Sequence, residues 1–235
     1  MKSLSIQNAG FLGSKITTVV PTFSDDFTSY ADQTAGDAVW VTTDTARLRV
    51  NPTTDVLDFS IVRDTTADRI YYDLTSINDT AWILRFKMIL NTVTNSAVDP
   101  AIGAFGLCSS NNIHDGANDF IGLTIRTNSG STVFKTTDTD NDDPVGGTAD
   151  ATFSTVVTTG TYYVEIKRTL ATSYTITLFS NSVYSTTIET QTSATLSTTN
   201  NLRYFTIGNL SSSTQTGTVV GTIDDIKFYN GVTSV

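Results

Sequence analysis

One cysteine, Cys108, stands in 235 residues. No intrachain disulfide can form, so stability has to come from buried apolar surface, and a chain this long can bury enough of it. Cys108 follows Phe105, Gly106 and Leu107, which suits a small core residue. There is one histidine, His114, and there are two glutamates, Glu165 and Glu189. A Ser-His-Asp site would have to run through His114, and no Gly-x-Ser-x-Gly turn is present to carry its nucleophile. His114 reads as a solvated loop residue. Prolines number 4, and helical blocks of Leu, Ala, Glu and Lys are missing. Lysine and arginine number 14 against 23 acidic residues, a net charge of −9. The cations are nowhere clustered, and phosphate neutralisation needs clusters, so nucleic acid is excluded as a partner. The same charge disfavours anionic membranes and suits solubility, cation binding or a saline setting. No apolar run is long enough to cross a membrane as a helix. The most apolar, residues 81–90, is broken by Arg85 and Lys87. The first 21 residues lack the unbroken apolar centre of an export signal. A secreted protein would need such a signal, whereas a virion protein leaves its host by lysis.

What is present is threonine, serine and the residues that favour strands: Val, Ile, Tyr and Phe. Trp82, Leu84, Phe86 and Met88 share one parity, and Ile83, Arg85 and Lys87 the other. That is a strand with one strongly buried face. Trp40 and Trp82 both sit among apolar strand residues and read as core. Further strands are expected over 47–50, 56–62, 69–74, 101–108, 120–126, 133–136, 202–207 and 219–229. The clearest hairpin runs 162–168 and 174–179. The acidic stretch 137–143 reads as a hydrated turn ended by Pro144. Its alternating Asp138, Asp140 and Asp142 resemble the start of a calcium loop. Asp143 stands where that loop needs glycine, and Ala149 where it needs a bidentate glutamate. The Thr/Ser tracts 186–199 and 211–218 read as solvated strand faces and turns. Residues 1–22 read as an arm, with Leu4 and Ile6 alternating and Phe11, Leu12, Ile16 and Val19 as apolar anchors. It is expected to add to a sheet edge or to another copy, giving a homo-oligomer. The remainder, 23–235, fits one all-β sandwich of two antiparallel sheets.

The order of "DDF…W", "AWILRFKM", "TYYVEIKR…YTITLFSN", "LRYFTIGN" and "GTIDDIKFYNG" resembles the concanavalin A-like lectin/glucanase superfamily in its laminin G-like branch. The resemblance covers residues 23–231. It implies a jelly roll in which the opening strand near Phe23–Phe27 pairs with the closing strand near Gly221–Gly231. It also implies glycan binding on one sheet face or on loops, often with a structural Ca2+. Pairing of the terminal strands would bring Asp25 or Asp26 beside Asp224 or Asp225 as the first place for that ion. Aromatic platforms with Asp and Asn bind sugars, which singles out Tyr71, Tyr72 and Tyr163 with Asn111, Asn112, Asp115 and Asn118. Hydrolases of the superfamily carry alternating carboxylates on one strand. Neither Glu165 nor Glu189 lies in such a motif, and Asp224 and Asp225, being adjacent, are expected on opposite faces. The chain therefore reads as a non-catalytic surface module, glycan-binding or structural. A virion surface is favoured, as a capsid decoration or tail-fibre component. A secreted or cell-surface lectin is the alternative, and a divergent glycoside hydrolase or lyase the third reading.

Overall fold

The computed structural model describes residues 19–64, 66–94, 101–114, 118–128, 130–139, 151–193, 201–210 and 217–235. Strands are numbered in chain order. One sheet has eight strands. Its path is β13 (Thr187–Thr192), β12 (Ser173–Phe179), β11 (Gly160–Leu170), β6 (Trp82–Thr94), β15 (Thr218–Asn230), β4 (Val56–Val62) and β3 (Leu48–Asn51). β1 (Phe23–Asp25) joins β15 beyond the end of β4. The other sheet has seven strands, β10 (Thr152–Val156), β9 (Ser131–Thr139), β8 (Phe120–Asn128), β7 (Ala101–Cys108), β14 (Tyr204–Asn209), β5 (Arg69–Asp73) and β2 (Val41–Thr42). All strand pairings among the described residues are antiparallel, and the sandwich expected from the alternation is present.

The period of two decides what each strand buries. On β6, Trp82, Leu84, Phe86 and Met88 face the other sheet and are fully buried. Val164 and Ile166 of β11 stand opposite Phe86 and Leu84 on the same inner face. Each such side chain contributes roughly 2 kcal/mol on leaving water. The two sheets are joined by aromatic contacts: Phe59 on β4 meets Phe105 on β7 edge-on at 5.3 Å, and Phe86 meets Phe205 of β14 at 5.8 Å. The terminal strands pair as expected, Phe23 opposite Phe228 and Asp25 opposite Ile226. The Thr22 N–H extends that ladder to the Phe228 carbonyl at 2.7 Å.

Several elements depart from the sequence reading, whereas β13 is the solvated strand face expected within 186–199. A helix, α1 (Gln33–Val39), follows β1 and spans 7 residues, too few for a helical period to register. Asp32 caps it by accepting from the Ala35 N–H at 3.0 Å. Thr137, Asp138 and Thr139 continue β9 rather than opening a turn, and Asp138 is buried on the inner parity with Phe134. Asp140, Asp142, Asp143 and Ala149 lie outside the described residues, as do residues 1–18 of the arm. β10 buries only Phe153 and β13 no residue at all, so neither displays an apolar alternation. They are held edge to edge by one carboxylate. Glu189 accepts from the Ser154 and Thr155 N–H groups at 2.8 and 2.9 Å, and from their hydroxyls at 3.0 and 2.7 Å.

Candidate functional site

The opening strand splits its two aspartates between the inside and the outside. Asp25 turns inward and is 8% exposed. Its carboxylate accepts from the Phe27 N–H at 2.8 Å, the Tyr30 hydroxyl at 2.6 Å and the Trp40 indole N–H at 2.9 Å. Burial and this carboxylate together push the Tyr30 hydroxyl pKa far up. Asp26 points out and accepts from the Thr28 hydroxyl at 2.8 Å. That bond, with a second from the Thr28 N–H, holds its carboxyl below the usual range.

Asp26 borders an open groove of about 460 Å³ on the outer face of the eight-stranded sheet. The floor is Lys87 of β6, Tyr163 of β11 and Asp224 and Asp225 of β15. The rims are Thr28, Thr54, Asp55 and Ser182. The adjacent Asp224 and Asp225 were expected on opposite faces; both line this groove. The reason is a β-bulge. Between Asp224, opposite Lys87, and Lys227, opposite Arg85, β15 carries one residue more than β6. Asp225 absorbs it with φ 50°. Asp224 pairs with the Lys87 ammonium at 3.0 Å and Asp225 with that of Lys227 at 2.6 Å. Phe27 and Asp55 also hold left-handed backbone beside the groove, at φ 61° and 53°. Such residues cost of order 1 kcal/mol each and concentrate where a chain is shaped for contact.

The candidate glycan residues that lie among the described residues do not converge. Tyr163 alone lines the groove. Tyr72, its neighbour Tyr71 notwithstanding, faces inward, stacked on Phe23 at 4.1 Å and against Trp40 at 5.3 Å. Tyr71 lies on the outer face of the seven-stranded sheet, edge-on to Tyr204 at 5.6 Å. The Asn111 amide donates to its hydroxyl at 3.3 Å. Asn118 is buried and spends its amide on the Asn112 carbonyl. Asp115 lies outside the described residues. Along its middle this second outer face is filled from within. The Phe120 ring lies over Gly106 and Gly122, and Ile113 over Gly208. With Ala101, Ala104, Cys108 and Leu210 they form a second small core. Sequence reasoning missed Lys87, Asp55 and Ser182 as groove residues; no motif marks them, and only the register brings them together.

No protein-family model matches the chain, and no curated protein matches it in sequence. Solved structures do match in shape. The legume lectin-like domain from Entamoeba histolytica superposes at TM-score 0.57, 12% identical, covering 91% of this chain and 99% of its own. The likeness extends over nearly the whole sandwich. The fold is a concanavalin A-like jelly roll. The endo-1,3-β-glucanase from Streptomyces sioyaensis matches at TM-score 0.51 and 14% identity, over 89% of this chain and 96% of its own. An alginate lyase matches at TM-score 0.50 and 10% identity, over 83% and 96%.

Within this jelly roll both glutamates have structural partners. Glu165 holds the Arg85 guanidinium at 2.6 Å, and Glu189 clamps β10. Of the four aspartates named for a calcium ion at the terminal strands, Asp26, Asp224 and Asp225 line the groove and Asp25 does not. Asp25 is turned inward onto Tyr30 and Trp40, and Asp224 and Asp225 each hold a lysine. Among the described residues no group of three or more His, Cys, Asp or Glu side chains is set to hold a metal.

Proposed function

We propose that the protein is a non-catalytic carbohydrate-binding module that takes a neutral glycan into the groove on its eight-stranded sheet. The observation that carries the reading is the composition of that groove. One aromatic wall, Tyr163, stands among four carboxylates, one ammonium and the hydroxyls of Thr28, Thr54 and Ser182. A sugar presents an apolar C–H face to such a ring and hydroxyl donors to such acceptors. Asp55 engages no hydrogen bond or ion pair among the described residues and is open to a donor. Among the described residues the four carboxylates are met by the ammonium of Lys87 in the groove and that of Lys227 on Asp225, so a uronate or sulfated chain meets like charge. The lectin-like fold supports the same reading.

One observation favours the hydrolase reading: the bulge sets Asp224 and Asp225 side by side on one face. Each of them is engaged by a lysine, and no turnover is expected. The two settings read from the sequence, a virion surface first and a secreted or cell-surface lectin second, would both present the groove to glycan. Mass spectrometry of purified particles tells them apart. A glycan array on the full chain tests the function. Neutral oligosaccharides are expected to bind, and Tyr163→Ala to weaken them about tenfold, or about 1.4 kcal/mol. Binding confined to anionic glycans, or reproducible cleavage lost in Asp224→Asn, overturns the proposal.

A further inference from the structure

Tyr163 does not stand alone on its face. The loop between β12 and β13, residues 180–186, folds over the outer surface of the eight-stranded sheet and sets the Tyr184 ring against it. That ring meets Tyr163 edge-on at 6.0 Å and Phe179 at 5.4 Å. The Arg85 guanidinium covers it at 4.5 Å, and Glu165 fixes that guanidinium in turn at 2.6 Å. A line of contacts therefore runs from Glu165 through Arg85 and Tyr184 to the aromatic wall of the groove. The loop is also closed on itself. The Asn181 side chain accepts from the Ser185 N–H at 3.0 Å and donates to the Ser185 and Thr186 hydroxyls at 2.9 Å each. Ser182, two residues before Tyr184, is the loop's contribution to the groove rim.

We infer that Tyr184 is a positioning residue for glycan recognition: its ring holds the Tyr163 wall upright and anchors the loop that delivers Ser182 to the rim. The inference rests on the glycan reading of the groove. The ring does this work, because the Tyr184 hydroxyl is buried and has no hydrogen-bond partner among the described residues. A buried hydroxyl without a partner is a cost to the fold, so phenylalanine should serve as well. Preorganised walls raise affinity by removing the ordering that binding would otherwise require.

Four variants of the full chain decide the matter: Tyr163→Ala, Tyr184→Ala, Tyr184→Phe and Asn181→Ala. Affinity for the best neutral oligosaccharide is measured by calorimetry, well below each variant's melting temperature. Tyr184→Ala is expected to weaken binding at least fivefold while the circular dichroism of the sandwich persists. Tyr184→Phe is expected to bind within twofold of the parent and to melt no lower. If Tyr184→Ala does not fold, Asn181→Ala loosens the same loop with the ring retained, and a threefold or greater weakening is expected there. A folded Tyr184→Ala, or failing that Asn181→Ala, with the parent's affinity overturns the role of Tyr184 and leaves the groove reading standing. Parental affinity in Tyr163→Ala removes the groove reading itself.

Discussion

At the scale of single residues, two carboxylates do more for the fold than their number suggests. Asp25 is buried and accepts three hydrogen bonds, so its charge is compensated by donors rather than by a cation. Asparagine cannot replace it without loss, since its NH2 would face either the Phe27 N–H or the Trp40 indole N–H, and neither can accept. Asp25→Asn is expected to cost about 3 kcal/mol by urea denaturation, the scale of a lost charge-assisted bond with its orphaned donors. Parental stability would contradict the node. Glu189 ties the two sheet edges to pH. Partial burial pushes its carboxyl up, but the bonds from Ser154, Thr155 and Gln191 outweigh that and bring it from 4.5 to about 2. A carboxyl depressed in the folded state stabilises it above its ordinary pKa, and the contribution is lost as pH falls towards the folded value. Melting temperatures are expected to drop between about pH 4.5 and 2 in the parent. Glu189→Gln is expected to start lower at neutral pH and to lose less over that window. Equal slopes for the two chains would remove the clamp from the acid response.

At the scale of elements, legibility followed burial. β6 was readable because Trp82, Leu84, Phe86 and Met88 give it one apolar face, and β15 and β1 because their residues alternate and pair. β13 was readable only as a solvated strand face within 186–199, because a strand with no buried residue has no apolar period to fix its bounds. The bulge at Asp225 was invisible for another reason. Register is set by β6 on one side and by β1 and β4 on the other, and none of those pairings is written in the local sequence. Tyr71 and Tyr72 show the limit of parity: alternation says that one points in, and only Trp40 and Phe23 decide which. The strands of the second sheet also approach at glycine because a ring occupies the space above them. A Cβ on Gly122 would stand 2.5 Å from the Phe105 carbonyl oxygen and collide with the Phe120 ring. Gly122→Ala is expected to destabilise by about 2 kcal/mol, the scale of overpacking, by chemical denaturation. A Gly122→Ala chain as stable as the parent would contradict the seating of Phe120 on that strand.

At the scale of the whole molecule, the two outer faces differ in kind, and the difference carries the functional reading. One face is filled along its middle by the chain's own Phe120 and Ile113. The other is open, polar and walled by Tyr163. The jelly roll itself was legible from the order of strand patterns, since it depends on alternation and on the pairing of the two ends. Of the groove residues, the sequence singles out Tyr163, Asp26, Asp224 and Asp225; Lys87 comes from β6, and Thr28, Thr54, Asp55 and Ser182 come from loops that meet through the fold. The net charge of −9 agrees with the proposal that the groove takes neutral rather than anionic sugars. The most direct test locates the bound sugar. With the strongest neutral ligand from the array titrated into isotope-labelled protein, backbone amide shifts are expected to concentrate at Asp55, Lys87, Tyr163, Ser182, Asp224 and Asp225. Shifts concentrated instead at Tyr71, Asn111 and Tyr204 would contradict the assignment of the groove.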